Sequence, residues 1–213
     1  MDNIILDIET DGLLDTVTKV HCIVMKTYTK LYDTHALASV EVATTEEQIK
    51  NALQKIKLSR VIGHNVLGFD LEVLRRLYDF TLPVGQVTDT LILSRLIHSD
   101  LRNEDASVKR LEPKFWGSHS LAAWGYRLNH NKGNFGKHTD FKEVSQEMID
   151  YCINDVELTH ILWKNLRLRL PSENSIRLEH NIAEICNIQE KNGFAFNEEK
   201  AVELYQKLAQ RRE

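Results

Sequence analysis

A short apolar run rich in isoleucine, Asn3 to Ile8, suits a strand buried on both faces, and it opens the fold. The next segments decide the architecture. Val20 to Lys26 alternates Val20, Cys22 and Val24 with His21, Ile23 and Met25, and Tyr28 to Asp33 comes close behind. Two further strands joined by a tight turn are expected there, giving an antiparallel meander. Thr45 caps a helix whose apolar positions Ile49, Leu53 and Ile56 recur at helical spacing, and Arg60 to His64 reads as another strand. Phe69 to Tyr78, Thr88 to His98 and Leu121 to Tyr126 are helical, and a long helix runs from Ser145 to Leu168 with Ser145 and Glu147 at its start. The order β-β-β-α-β-α followed by helices implies an α/β fold, a mixed sheet with helices against its faces.

Proline cannot continue a helix and serine favours a new start, so Pro171 and Ser172 place a boundary between residues 1–171 and a helical segment, 172–213. That segment carries Ile176, Ile182, Ile185 and Ile188 at helical spacing, a break at Asn192-Gly193, and Val202, Leu204 and Leu208 in a second helix. Two amphipathic helices cannot form a core alone. Their apolar faces call for the first domain or for sequence beyond Glu213, and the chain reads as the front of something longer.

Composition narrows the function classes. With 213 residues, 42% hydrophobic and 27% charged, the chain can close one ordinary core. Lys plus Arg is 27 against 31 for Asp plus Glu, a formal charge of −4, whereas proteins that coat duplexes are strongly basic. Any nucleic-acid contact must therefore be local. No apolar stretch approaches the ~18 residues of a membrane span. Met1 to Leu6 lacks the basic flank and length of a signal peptide, so the reading is soluble and cytoplasmic, with no membrane partner. Cys22, Cys152 and Cys186 are an odd number without C-x-x-C spacing and read as reduced core thiols.

Chemistry concentrates in acidic residues at the ends of these elements. In Asp7-x-Glu9 the two carboxylates project to the same face of the strand while Ile8 points into the core, a geometry suited to a divalent cation. Two like charges finishing an apolar strand are disfavoured without a cation or other partner. In His64-Asn65-Val66-Leu67-Gly68-Phe69-Asp70, a strand ends, Gly68 permits a tight turn, and Asp70 enters a helix whose dipole its charge complements. In Tyr151-x-x-x-Asp155, phenol and carboxylate share one face of the long helix, away from the stripe of Ile149, Cys152, Ile153 and Val156. Lys109 to His138 adds Lys109, Arg110, Lys114, Arg127, Lys132 and Lys137, interleaved with Phe115, Trp116, Trp124, Tyr126 and Phe135. Cations that track phosphates and aromatics that stack bases suit single-stranded DNA. Trp124 and Tyr126 are also candidates for the core. His21, His35, His119 and His160 lack metal spacing and read as structural or surface residues.

In this order the three acidic elements resemble the DEDD family of 3′→5′ exonucleases, which carry Asp-x-Glu, an Asn-to-Asp segment and a Tyr-x-x-x-Asp helix on a ribonuclease-H-like sheet. The branch with histidine in place of tyrosine would need His at position 150, where this chain has Asp150, so the tyrosine branch is indicated. Asp89 to His98, Gly117 to Leu121 and Ala123 to Leu128 look like the proofreading domain of podovirus replicative polymerases of the T-seven type, in DNA polymerase family A. The tail from Glu179-His180 through Asn192-Gly193-Phe194 to Arg211-Arg212 is similar to the segment that begins the polymerase module of those enzymes.

The resemblance implies that Asp7, Glu9, Asp70 and Asp155 hold two divalent ions, normally Mg²⁺ with Mn²⁺ as a substitute, and that Tyr151 orients the attacking water. Two metals ~4 Å apart can clamp a scissile phosphate when hard oxygen ligands predominate. It also sets Leu13 against the terminal base as a wedge, Thr10 and Asn65 near the terminal nucleotide, and Phe69 beside the base. Leu13 and Phe69 are equally readable as core residues. The expected activity is release of 5′-nucleotides from a single-stranded DNA 3′ end in a phage-infected host. The polymerase module, on the same or a separate chain, would be the partner. A free-standing ribonuclease or oligoribonuclease of the same superfamily and a catalytically silent polymerase-associated module are the alternatives.

Overall fold

The computed structural model describes residues 2–28, 39–130 and 143–212. Five strands form one mixed sheet, β1 (Asn3–Thr10), β2 (Val20–Tyr28), β3 (Ser39–Ala43), β4 (Arg60–Gly63) and β5 (Val87–Asp89), in the order β3-β2-β1-β4-β5. The first three are antiparallel, while β4 and β5 run parallel to β1. Tyr28, expected to start a third strand, instead ends β2. The β1 ladder continues as far back as Asn3, which pairs with Tyr28, so no turn forms between Lys26 and Tyr28. The third strand is Ser39–Ala43, and residues 29–33 of the expected one lie outside the described residues.

The helices are α1 (Glu46–Lys57), α2 (Asp70–Tyr78), α3 (Thr90–Ile97), α4 (Leu101–Val108), α5 (Leu121–Arg127), α6 (Gln146–Leu166), α7 (Glu173–Asn192) and α8 (Glu198–Gln210). Thr45 opens α1 with a capping box, its hydroxyl accepting the Gln48 amide while Gln48 Oε1 accepts the Thr45 amide. Thr88, expected to begin a helix, lies in β5; the helix starts two residues later, where the Asp89 side chain caps Leu91.

Strand alternation splits the core in two. Ile4, Leu6 and Ile8 of β1 bury one face of the sheet against α1 and α2, through residues such as Ile49, Ile56, Val73 and Leu74. Ile5, with Cys22 and Val24 of β2, buries the other face against Cys152, Val156, Leu158 and Leu162 of α6. α6 thus lies across the central strands on the face to which Asp7 and Glu9 also belong.

Cys22 and Cys152 are buried thiols, as expected, but Cys186 is exposed on α7. α7 packs on α3, with Ile176 against the second core and His180 buried. Ile182, Ile185 and Ile188, and Val202, Leu204 and Leu208 of α8, are exposed. No helix among the described residues is long and apolar enough to cross a membrane.

Candidate active site

β4 accompanies β1 only from Asn3 to Ile5, pairing Ile5 with Ile62 before ending at Gly63. Past that point Asp70 takes over as the acceptor, and its Oδ1 receives the Ile8 amide at 3.2 Å. The first residue of α2 is therefore bound to the residue between Asp7 and Glu9. Asp7 faces Val24 and Glu9 faces Cys22 across the ladder, and a bulge between Glu9 and Thr10 then ends the regular register. Both carboxylates are partly exposed, whereas Asp70 is 5% exposed. Burial, and next the charge of Asp7, pushes the Asp70 carboxyl well above the ordinary carboxylate range.

The loop from His64 to Phe69 aims Asp70. Asn65 takes the left-handed conformation at φ 62°, and Gly68 lies so close to it that a Cβ at position 68 would meet Asn65 Oδ1 at 2.6 Å. Asp89 organises this loop from the end of β5. Its Oδ1 accepts the amides of Asn65 and Leu91, each at 2.9 Å, and its Oδ2 accepts that of Leu67 at 3.1 Å. Burial pushes the Asp89 carboxyl up despite the opposing pull of those donors. Sequence reasoning missed this role. A strand-to-helix junction beginning with Asp signals a cap for the following helix, but the capture of a loop more than twenty residues earlier leaves no local trace.

α6 brings the third group. Its buried stripe is Met148, Cys152, Asp155, Thr159 and Leu162, spaced by alternating steps of four and three. Asp155, at 3% exposure, thus lies in the buried stripe rather than on the separate face expected for it. Tyr151 is partly exposed one turn earlier. Cys152 lies 3.4 Å from Asp7 Oδ2 through its Sγ, and ligand atoms of Asp7, Glu9 and Cys152 all fall within 4.8 Å of one another. Cys152, read only as part of an apolar stripe, is therefore a member of the acidic cluster. His130 Nε2 lies 3.0 Å from Asn154 Oδ1, joining the segment after α5 to the helix turn that carries Tyr151 and Asp155.

The remaining candidates differ in burial and in the partners they hold. Thr10 is buried, its hydroxyl donating to the Gly12 carbonyl at 2.8 Å. Leu13 is 77% exposed, which removes its reading as a core residue, and it stands on a turn closed by Asp11 accepting the amides of Thr18 and Lys19. Phe69 is half-buried against the first core. Among the basic and aromatic residues, the Phe115 and Tyr126 rings pack with centres 4.8 Å apart and tilted by 37°, with Lys114 Nζ 5.0 Å from the Phe115 ring centre. Tyr126 is 45% exposed, not in the core, while Trp124 is buried. Arg127 is committed to a buried ion pair with Asp105 at 2.7 Å and so is withdrawn from any phosphate-tracking role. His35, Lys132, Phe135 and Lys137 lie outside the described residues.

The donor set fits a hard divalent cation. Carboxylate oxygens predominate, and Asp70 ionises with difficulty next to Asp7, the repulsion that a cation would relieve. A five-stranded mixed sheet with helices on both faces and acidic residues at the end of its central strand is an arrangement of the ribonuclease-H-like class. Solved structures share the fold. Escherichia coli exonuclease I in complex with a dT13 oligonucleotide aligns with a TM-score of 0.50 at 15% identity, covering 79% of this chain and 41% of that one. Another exonuclease I structure gives 0.51 at 14% identity over 83% and 42%. A family described as 3′-5′ exonuclease matches residues 1–171, and the chain belongs to it. DNA-directed DNA polymerases of Escherichia phage T7 and Enterobacteria phage T3 are 32% and 31% identical to it across 98% of its length. The chain spans 35% of the length of each of these relatives.

Proposed function

We propose that the chain is the proofreading exonuclease part of a phage-type DNA polymerase, removing 5′-nucleotides from single-stranded DNA 3′ ends in an infected bacterial cytoplasm. The observation that carries this reading is the bond from the Ile8 amide to Asp70, which draws the start of α2 to the Asp7-x-Glu9 strand end. Asp7, Glu9, Asp70 and Asp155 are assigned as ligands of two Mg²⁺ ions, for which Mn²⁺ can substitute. Bound divalent ions supply an acidified water and charge neutralisation at the scissile phosphate.

The protein groups do the rest. Asp7 and Glu9, fixed by the β2 ladder, hold their carboxylates on the α6 side of the sheet. Tyr151 orients the attacking water from the partly exposed edge of α6, one turn before Asp155. Leu13 is assigned to wedge the terminal base, with Thr10 and Asn65 at the terminal nucleotide and Phe69 beside its base. The exposed Leu13 side chain and the left-handed Asn65 support those roles. Residues 1–171 are taken as the exonuclease domain and 172–213 as the start of a polymerase module, which continues on the same chain or is met on another.

The test is digestion of 5′-labelled single-stranded DNA, duplex DNA and RNA with Mg²⁺ or a chelator, beside Asp7→Ala and Asp155→Ala. Metal-dependent shortening of single-stranded DNA from its 3′ end, lost in both variants, is expected. Preference for RNA would indicate a ribonuclease, an inert parent a silent module, and undiminished variants a wrong ligand set.

A further inference from the structure

α7 lies beyond the residues matched by the exonuclease family, yet one stripe of it grips the segment that carries the site. Ile176, His180, Asn187 and Lys191 are spaced to share a face of the helix. His180, 2% exposed, accepts the backbone amide of Asp89 on Nε2 at 2.9 Å. Its Nδ1 lies 2.8 Å from the Ile176 carbonyl, which can only accept, so the proton is on Nδ1 and Nε2 is left as an acceptor. Two turns on, Asn187 Nδ2 donates to the Leu67 carbonyl at 3.2 Å, and Lys191 pairs with Glu72 of α2. Between these holds is a cleft of about 260 Å³, lined by Asn65, Gly68, Asp89, Arg95, Asn187 and Glu190.

We propose that His180 is a positioning residue of the exonuclease site, acting from α7 through Asp89. The Asp89 main chain is fixed by His180, and the Asp89 side chain fixes Asn65 and Leu67, whose loop delivers Asp70 to Ile8. Four directed hydrogen bonds, each buried or partly buried, carry the relay, and the loop backbone from Leu67 to Asp70 completes it. A buried amide deprived of its acceptor must find another, and here that means shifting the end of β5 and the Asp89 carboxylate with it. The segment after Pro171 is thereby a strut of the exonuclease site, so a partner that moved α7 would alter hydrolysis without touching a carboxylate. The functional consequence rests on the assignment of Asp70 and Asn65 under Proposed function, whereas the relay itself does not.

The experiment compares the full chain with His180→Leu and His180→Gln, the glutamine carrying an oxygen near the place of Nε2. The readouts are amide hydrogen exchange at Asn65, Leu67 and Asp89 and steady-state hydrolysis of single-stranded DNA with Mn²⁺. His180→Leu should speed exchange at all three amides and lower kcat about tenfold with a smaller change in KM, as loss of a supporting partner typically does. His180→Gln should restore both. Should His180→Leu fail to fold, His180→Phe replaces it, keeping the ring and removing the acceptor. Parent-like exchange in the apolar variant, or a glutamine variant as impaired as it, overturns the proposal. An inactive parent overturns the functional reading instead, and the exchange data then decide the relay alone.

Discussion

The Ile8 amide donates to Asp70 Oδ1 at 3.2 Å, so the carboxylate that opens α2 completes the hydrogen bonding of the strand that carries Asp7 and Glu9. The bond and the charge of Asp70 have opposite effects. An amide in place of the carboxylate keeps an oxygen for Ile8 while removing a buried charge that Asp7 opposes. Asp70→Asn should therefore raise the stability of the metal-free chain by about 1 kcal/mol, read as a melting temperature higher by a few degrees. The same substitution should abolish the stabilisation by Mn²⁺, which for a site filled at a hundred times its Kd is about 2.7 kcal/mol. Thermal melts with Mn²⁺ and with chelator check both signs.

Leu13 separates packing from function at one position. At 77% exposure it has little burial to lose, so Leu13→Ala should change stability by less than about 0.5 kcal/mol. If the side chain holds a terminal base, hydrolysis of single-stranded DNA should fall several-fold, more in KM than in kcat. Parallel melts and kinetics are sufficient, and an unaltered KM would remove the wedge.

The parts of the site legible in the sequence are those written at short period. Asp7 and Glu9 share a face because strand side chains alternate, and Ile4, Leu6 and Ile8 fill the other face as that rule requires. Asp155 runs against the same kind of reasoning. A carboxylate suggests a solvated face, although its spacing from Cys152 and Thr159 puts it in the buried stripe. β5 is three residues long, too short to show a period, so from sequence Asp89 reads as part of the helix that it caps. The contacts of His180 with Asp89 and of Asn187 with Leu67 join residues about ninety and more apart, and no local pattern encodes them.

His160 sets a pH dependence remote from the carboxylates. Burial, and next the Lys26 ammonium whose Nζ lies 3.2 Å from Nδ1, depress its pKa to about 4 from an ordinary 6.5. Between those values the unfolded chain holds a proton that the folded chain lacks. Stability therefore rises with pH across this window and is lost as pH falls through it. His160→Gln should flatten the slope of melting temperature against pH between about 4 and 6.5. The residual slope should include Glu157, where burial raises the pKa but the Lys26 ion pair outweighs it and holds it low, again favouring the folded state above the acid range. A slope identical in His160→Gln and the parent would mean that the imidazole titrates alike folded and unfolded.

Cys152 gives the acidic cluster a second, softer character. Its Sγ lies 3.4 Å from Asp7 Oδ2 and within 4.8 Å of a Glu9 oxygen, so an ion that sits against these carboxylates meets sulfur as well. Hard ions such as Mg²⁺ gain nothing from a thiol, and burial, followed by the neighbouring Cys22, raises the Cys152 pKa well above its ordinary value and keeps the proton on sulfur. Cd²⁺ and Zn²⁺ prefer thiolate and displace that proton on binding. Titration with Cd²⁺ should therefore produce an ultraviolet sulfur-to-cadmium charge-transfer band that saturates at one ion per Cys152. Cys152→Ser should lose the band and bind Cd²⁺ at least tenfold more weakly, while the melting shift with Mg²⁺ persists because the serine oxygen leaves the carboxylate set in place. A band that survives in Cys152→Ser would assign the thiolate to Cys22 or the exposed Cys186, and Cys152 would then be only a packing residue between α6 and the sheet.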